Sequence, residues 1–234
     1  MEEKKCAVKI IIFGDSILKG VRYEDGSYQV ERSWQQAFSE KFGVAIENYS
    51  RFGNTIGKAM QTLRRVCEKQ AAGREIALLE LGGNDCNYNW SEISADPEGV
   101  HHCRTIPEHF TADYREAISL LRNSGREPVV LTLPPILPDR YLDHLCSRGL
   151  SRENVLKWLG NVEDISMWQH TYSWLVRHIA REEHVRLIDQ RLKYPAEARD
   201  LESLIGLDGI HPSLSGQKLI FDVLCDDAGT VLAS

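Results

Sequence analysis

The chain has no excess of basic residues. Lys and Arg total 28 against 34 Asp and Glu, a formal net charge of −6, and no basic tract is interleaved with aromatics. Such a balance argues against a nucleic-acid backbone as partner. Long apolar runs are also missing. Met1-Glu2-Glu3-Lys4-Lys5-Cys6 leads into an apolar stretch that stops at Gly14-Asp15, too short to span a bilayer and ending wrongly for a cleavable leader. The expectation is a cytoplasmic chain without stable membrane association. The six cysteines, Cys6, Cys67, Cys86, Cys103, Cys146 and Cys225, include no C-x-x-C pair and read as reduced thiols rather than a disulfide framework. The phosphate-cradling G-x-x-x-x-G-K-[ST] loop and the dinucleotide G-x-G-x-x-G turn are absent.

What is present is an alternation of strand and helix patterns over 234 residues with 42% apolar content, enough for one domain with a substantial core. Strand-like apolar runs fall at 7–13, 44–49, 75–81, 128–133 and 185–188. Helical stripes lie between them. Trp34, Ala37, Phe38 and Phe42 follow Ser33 as a cap; Ile56, Ala59, Met60, Leu63 and Val66 follow Thr55. Thr105-x-x-Glu108 with Pro107 reads as a capping box opening a helix through Phe110, Tyr114, Ala117, Ile118 and Leu121. A short helix is expected near 151–159, a long one through Ile165, Trp168, Tyr172, Leu175, Val176 and Ile179, and a last one after Pro212 to about 226. This order predicts an α/β fold, a parallel sheet of about five strands with helices on both faces.

Two connections are longer than usual, 82–106 and 134–163. Both leave strands, so both are expected at the carboxyl edge of the sheet, where open α/β folds bind ligands. Their aromatics, Tyr88, Trp90, Tyr141 and Trp158, are equally suited to lining a substrate rim or anchoring the loops. Trp168 and Tyr172 read as core. Asp15, Tyr88 and Trp90 are the candidates for substrate contact. His101-His102-Cys103 matches no common zinc spacing and reads as a solvated loop. Cys86 reads as an inert, half-buried thiol.

The chemistry-bearing residues recur in order, each at the carboxyl end of a strand or in the last turn. Ser16 follows the first apolar run in Gly14-Asp15-Ser16. Gly-Asp-Ser alone arises by chance in roughly one chain of this length in twenty, so the tripeptide by itself identifies nothing. Near the other end, Asp208-Gly209-Ile210-His211-Pro212 sets a carboxylate three residues before an imidazole. That spacing lets Asp208 accept Nδ1–H and leave Nε2 for Ser16, the parts of a nucleophile, a base and an orienting group. Gly53 and Asn84 follow the second and third strand patterns. With the Ser16 N–H they supply three donors suited to a tetrahedral oxyanion.

These blocks, Phe-Gly-Asp-Ser-Ile, Asn-Tyr-Ser-Arg-Phe-Gly-Asn-Thr, Leu-Gly-Gly-Asn-Asp and Asp-Gly-Ile-His-Pro, resemble those of the SGNH (GDSL) hydrolase superfamily. The likeness runs through residues 10–220. It implies a flavodoxin-like three-layer α/β/α sandwich and a serine esterase working through an acyl-enzyme. Ser16, Asp208 and His211 would be catalytic, with Ser16, Gly53 and Asn84 forming the oxyanion hole. It implies no metal and no organic cofactor, and a small-molecule ester as substrate, such as an acetylated carbohydrate or metabolite. Lysophospholipid or thioester hydrolysis, and a catalytically idle ligand-binding module, are the rival readings. The G-x-S-x-G elbow of α/β-hydrolases occurs nowhere in the chain.

Overall fold

The computed structural model describes residues 8–196 and 198–232; Cys6, the Met1–Cys6 stretch and the start of the first expected strand lie outside them. The first half of the chain forms β1 (Lys9–Gly14), α1 (Ser16–Lys19), β2 (Val21–Glu24), β3 (Ser27–Val30), α2 (Ser33–Phe42), β4 (Ala45–Asn48), α3 (Ile56–Cys67), β5 (Glu75–Glu80) and α4 (Trp90–Ala95). Then come α5 (Pro107–Asn123), β6 (Glu127–Leu131), α6 (Pro138–Ser147), α7 (Arg152–Leu159), α8 (Asp164–Glu182), β7 (Arg186–Ile188), α9 (Ala198–Leu201) and α10 (Leu214–Val231).

Five parallel strands form one sheet in the order β4-β1-β5-β6-β7. Ile10, Ile11, Ile12 and Phe13 of β1 are all buried, as a strand covered on both faces requires. Alternation sends Ile11 and Phe13 to one side, where Ile56 and Leu63 of α3, Phe110 and Ile118 of α5, and Val176 of α8 complete the core. Ile10 and Ile12 face the other side, against Phe38 of α2 and Ile220 and Leu224 of α10. The result is a three-layer α/β/α sandwich. From β1 the chain moves out to the edge strand β4, then returns past β1 to β5. The direction of winding thus reverses between β1 and β5, and the crevice beyond their carboxyl ends is where such sheets take ligands.

Local signals held unevenly. Thr55 caps α3, its Oγ1 accepting Lys58 N–H at 3.4 Å. Ser33 does not cap α2. It is the first helical residue, and its N–H goes to the Glu31 carboxylate at 2.8 Å. The Thr105-x-x-Glu108 box does not form either. Thr105 N–H donates to the Asp85 carbonyl at 3.1 Å, and the helix opens at Pro107 after Ile106. In α2, Phe38 is buried but Ala37 is exposed. Tyr172 is core, whereas Trp168 is half-buried and lines a cavity.

The two long connections are not plain loops. Segment 82–106 contains α4, and 134–163 contains α6 and α7. Trp90 and Ile93 from the first pack with Tyr141, Leu145, Val155 and Leu159 from the second, and Asn154 Nδ2 donates to the Ser94 carbonyl at 2.7 Å. Together they form a cap with its own small core. Among the described residues no helix is long and apolar enough to cross a membrane.

Candidate active site

β1 delivers Ser16 to the switch point. Asp15 stops the strand and caps α1, its Oδ1 accepting Ile17 N–H at 2.8 Å. Ser16 therefore sits in the first turn with its Oγ 2.8 Å from His211 Nε2. His211 arrives from the turn before α10. Its Nδ1–H donates to Asp208 Oδ2 at 2.5 Å, while Asp208 Oδ1 accepts His211 N–H at 3.0 Å and Ile210 N–H at 3.2 Å. Burial alone would raise the Asp208 carboxyl; the hydrogen bonds and charge of His211 outweigh it and hold the group below its usual range. Gly209 makes this turn possible. Its φ is +76°, and a Cβ there would lie 2.4 Å from Tyr141 N and 2.6 Å from the Leu137 carbonyl. The backbone is clamped on either side, Leu137 N–H to the Gly209 carbonyl at 2.8 Å and Gly206 N–H to the His211 carbonyl at 2.7 Å.

Gly53 and Asn84 come to the same crevice and line one cavity with Ser16 and His211. Gly53 has a φ of +68°, in the left-handed region where glycine is at no disadvantage. Asn54 Nδ2 donates to the Gly14 carbonyl at 3.0 Å and so staples this turn to the end of β1. Asn84 Nδ2 donates to Asp15 Oδ2 at 3.0 Å. The carboxylate of Asp85 accepts Ile56 N–H at 3.1 and 3.2 Å, fixing the Asn84 loop to the start of α3. Asn54, Glu80 and Asp85 were not singled out from the sequence. Asn54 and Asp85 stand directly beside the recognised Gly53 and Asn84, and buried, hydrogen-bonded polar neighbours of a site are what hold it.

Asp15 lines the cavity at 2% exposure with both oxygens engaged, by Ile17 and by Asn84. Tyr88 and Trp90 also line it. Trp90 Nε1 donates to Asn87 Oδ1 at 2.7 Å, and Asn87 Nδ2 donates to the Tyr141 hydroxyl at 3.0 Å. Tyr88 packs on Trp158 and Trp168, ring centroids 5.0 and 4.6 Å apart. The aromatics thus anchor the cap and face the cavity at once, except Trp158, which stands behind Tyr88. The cavity holds about 550 Å³, within the range of small-molecule sites. Leu133, Ile136, Leu145, Ile165 and Ile210 contribute apolar lining, and Arg104, Arg148 and Gln169 polar lining.

The hairpin β2–β3, an element absent from the sequence reading, adds Tyr28 to the cavity lining. Its Asp25-Gly26 turn takes φ of 49° and 76°, the two positive values of a tight primed turn. Tyr28 stands edge-on to the His211 ring at 5.3 Å, and Phe52 stacks on that ring at 5.6 Å with 16° between planes. The Tyr28 hydroxyl is 3.2 Å from His144 Nε2. Burial lowers His144 from its ordinary value, which favours its neutral form.

His101 Nε2 meets the Asp96 carbonyl at 2.8 Å, and Cys103 Sγ lies 3.3 Å from the Tyr172 hydroxyl. Among the described residues no group of three His, Cys, Asp or Glu is arranged to hold a metal ion. Cys86 is buried, and burial, then the Asp85 charge, pushes its thiol far above the usual range, away from nucleophilic character.

The model of the GDSL-like Lipase/Acylhydrolase family matches residues 12–219. The isoamyl acetate-hydrolyzing esterase of Saccharomyces cerevisiae is 25% identical over 222 residues, 92% of this chain and 84% of that protein. Among solved structures, a member of the lipolytic protein G-D-S-L family from Veillonella parvula superposes with a TM-score of 0.64 at 16% identity, covering 94% of this chain and 97% of that one. An acetyl-xylooligosaccharide esterase from Geobacillus gives 0.63 at 16% identity, covering 98% and 97%. At these identities the two structures bear on the fold.

Proposed function

The chain belongs to the GDSL-like lipase/acylhydrolase family and is a hydrolase acting on ester bonds; from that premise we propose that it cleaves a small carboxylic ester through an acyl-enzyme on Ser16. The observation that carries this reading is the line Ser16 Oγ–His211 Nε2–His211 Nδ1–Asp208 Oδ2, at 2.8 and 2.5 Å, whose Ser16 and His211 line the cavity. A serine hydroxyl is a weak nucleophile until a base takes its proton. As Ser16 Oγ adds to the acyl carbonyl, its proton passes to His211 Nε2. The tetrahedral oxyanion is met by the N–H groups of Ser16 and Gly53 and by the Asn84 amide. Collapse breaks the bond to the alcohol oxygen, which leaves with the proton from Nε2. A water then repeats the sequence on the acyl group, with His211 again as base. Asp208 holds the imidazole in the tautomer with Nδ1–H and offsets its positive charge at each step. No step calls for a metal or an organic cofactor.

The same reading takes the chain as one domain whose 82–106 and 134–163 segments select the substrate. The Saccharomyces relative is named for isoamyl acetate and the Geobacillus neighbour for acetylated xylooligosaccharides. Both names point to a small acyl group, and a short-chain ester of a small alcohol or sugar is the first substrate class. The apolar lining residues Leu133, Ile136, Leu145 and Ile165 favour a second reading, a longer acyl chain as in lysophospholipids or thioesters.

Labelling with a fluorophosphonate, together with p-nitrophenyl esters from acetate to long chains, tests both parts. Adduct formation on Ser16 and loss of turnover of up to roughly a millionfold in Ser16→Ala are expected. An unlabelled Ser16, or a Ser16→Ala protein within tenfold of the parent, sinks the mechanism. A maximum at long chains replaces the first substrate class by the second.

A further inference from the structure

Two buried carboxyl groups stand directly behind Ser16, and the ester chemistry uses neither. Glu80 ends β5 and pairs in register with Gly14, the residue before Asp15. It is 0% exposed. Neither of its carboxyl oxygens has an amide, amine or hydroxyl side chain as partner; the polar group it faces is Asp15.

Two carboxylates in hydrogen-bond reach inside a protein do not both stay ionised. The partners of Asp15 say which one keeps its charge. Asp15 accepts Ile17 N–H at 2.8 Å and the Asn84 amide at 3.0 Å, and hydrogen bonds from such donors favour the anion. Glu80 has only the Asp15 backbone N–H to set against these, so the proton belongs to Glu80, whose O–H is then donated to Asp15. The direction of both groups agrees. Burial pushes Asp15 up to about 6, while burial and then the Asp15 charge push Glu80 well above the usual carboxyl range.

The consequence falls on Asn84. A carboxamide nitrogen carries two hydrogens. One is committed to Asp15, which leaves the other for the cavity that Asn84 lines. Turned over, the carboxamide would set its carbonyl oxygen against the Asp15 anion, acceptor against acceptor. The anion therefore dictates which end of the amide meets the substrate. The proton of Glu80 draws some of that charge away from the place where the oxyanion forms.

We propose that Asp15 and Glu80 are positioning residues sharing one proton, held by Glu80, and that this pair orients the Asn84 amide as an oxyanion donor. The proposal rests on the reading of Asn84 given above and extends it to two residues that do not touch the reacting atoms.

A double-mutant cycle on turnover of p-nitrophenyl acetate, with infrared spectra of the intact proteins, tests it. Asn84→Ala is expected to lower kcat by about a hundred- to a thousandfold with KM little changed. If it leaves kcat intact, the oxyanion reading has failed and the positioning proposal falls with it. With Asn84→Ala behaving as expected, Asp15→Asn should lower kcat by tenfold or more on the same pattern. The double variant should then be no slower than Asn84→Ala alone, because Asp15 acts through the amide that is gone. Additive losses overturn the proposal while leaving the oxyanion reading in place. Glu80→Gln, which keeps a neutral donor, should stay within roughly threefold of the parent, and Glu80→Leu should not. The parent should show the C=O stretch of a protonated buried carboxyl that Glu80→Gln lacks. Its absence from the parent overturns the assignment of the proton even if Asp15→Asn fails to fold.

Discussion

At the scale of single residues, the site depends on positions that carry no chemistry. Gly209 is the sharpest case, since the turn that aims His211 at Ser16 leaves no room for a Cβ beside Tyr141 N and demands a φ of +76°. Gly209→Ala is expected to destabilise the fold by about 1–3 kcal/mol through the forced backbone change. It should also lower kcat, because His211 and Asp208 share the turn. Thermal melts and kcat together check this; a variant with parental melting temperature and turnover shows that the turn tolerates a side chain. The residues proposed here as triad and oxyanion donors stand out in the sequence because each chemistry demands a particular residue type at a strand end or in the turn before the last helix. Glu80 was not. Its strand, Glu-Ile-Ala-Leu-Leu-Glu-Leu, reads as apolar with one interruption. Only the register beside Gly14 turns that interruption into a partner for Asp15. A carboxyl at the end of a strand buried on both faces was nevertheless a signal in its own right.

At the scale of elements, the sheet was readable because five apolar runs alternate with helical stripes, and each strand lies within two residues of its expected ends. What escaped was the furniture of the carboxyl edge. The hairpin β2–β3 is signalled by Asp25-Gly26 between Tyr23 and Tyr28, but its strands bury little, and a pattern reading driven by burial passes over them. Helices α4 and α6 are short, and their apolar residues pair with each other across some fifty residues of sequence, so neither segment has a complete stripe of its own. Under the proposed mechanism the hairpin bears on catalysis through Tyr28, which packs on His211 and Phe52 at 5.3 and 5.0 Å. An aromatic contact of this kind contributes about 0.5–1.5 kcal/mol. Tyr28→Ala is expected to reduce kcat/KM about two- to tenfold. Tyr28→Phe keeps the ring and loses only the hydroxyl beside His144, so it should lie close to the parent. Steady-state kinetics on one short ester decide it. If the Phe variant loses as much as the Ala variant, the bond to His144, not the ring on His211, is what the hairpin supplies.

At the scale of the whole molecule, the buried carboxyls give stability a pH dependence with a definite sign. Burial raises Asp85 from 3.8 to about 6 and Asp15 likewise, and Glu80 lies well above 4.5. In the unfolded chain these groups lose their protons near the ordinary values. Between about pH 4 and 6 the folded protein thus holds more protons than the unfolded one, and stability falls as the pH rises through that window. A shift of two units is about 3 kcal/mol for such a group. Asp208 runs the other way: its lowered value gives stability present above about 4 and lost as the pH falls through the folded value. His144, lowered by burial, also loses stability as the pH falls through its unfolded value; the raised carboxyls carry the larger shifts and put the maximum on the acid side of neutrality. The net charge of −6 at pH 7 adds a repulsion of the same direction, so a pH series on the parent alone does not separate the causes. Asp85→Asn does. Its amide oxygen still accepts Ile56 N–H at the start of α3, but it has no proton to lose. The parent is expected to melt higher at pH 5 than at pH 8, and Asp85→Asn to lose a clear part of that difference. A parent more stable at pH 8, or a variant with the full parental slope, shows that the buried carboxyls do not set the pH profile.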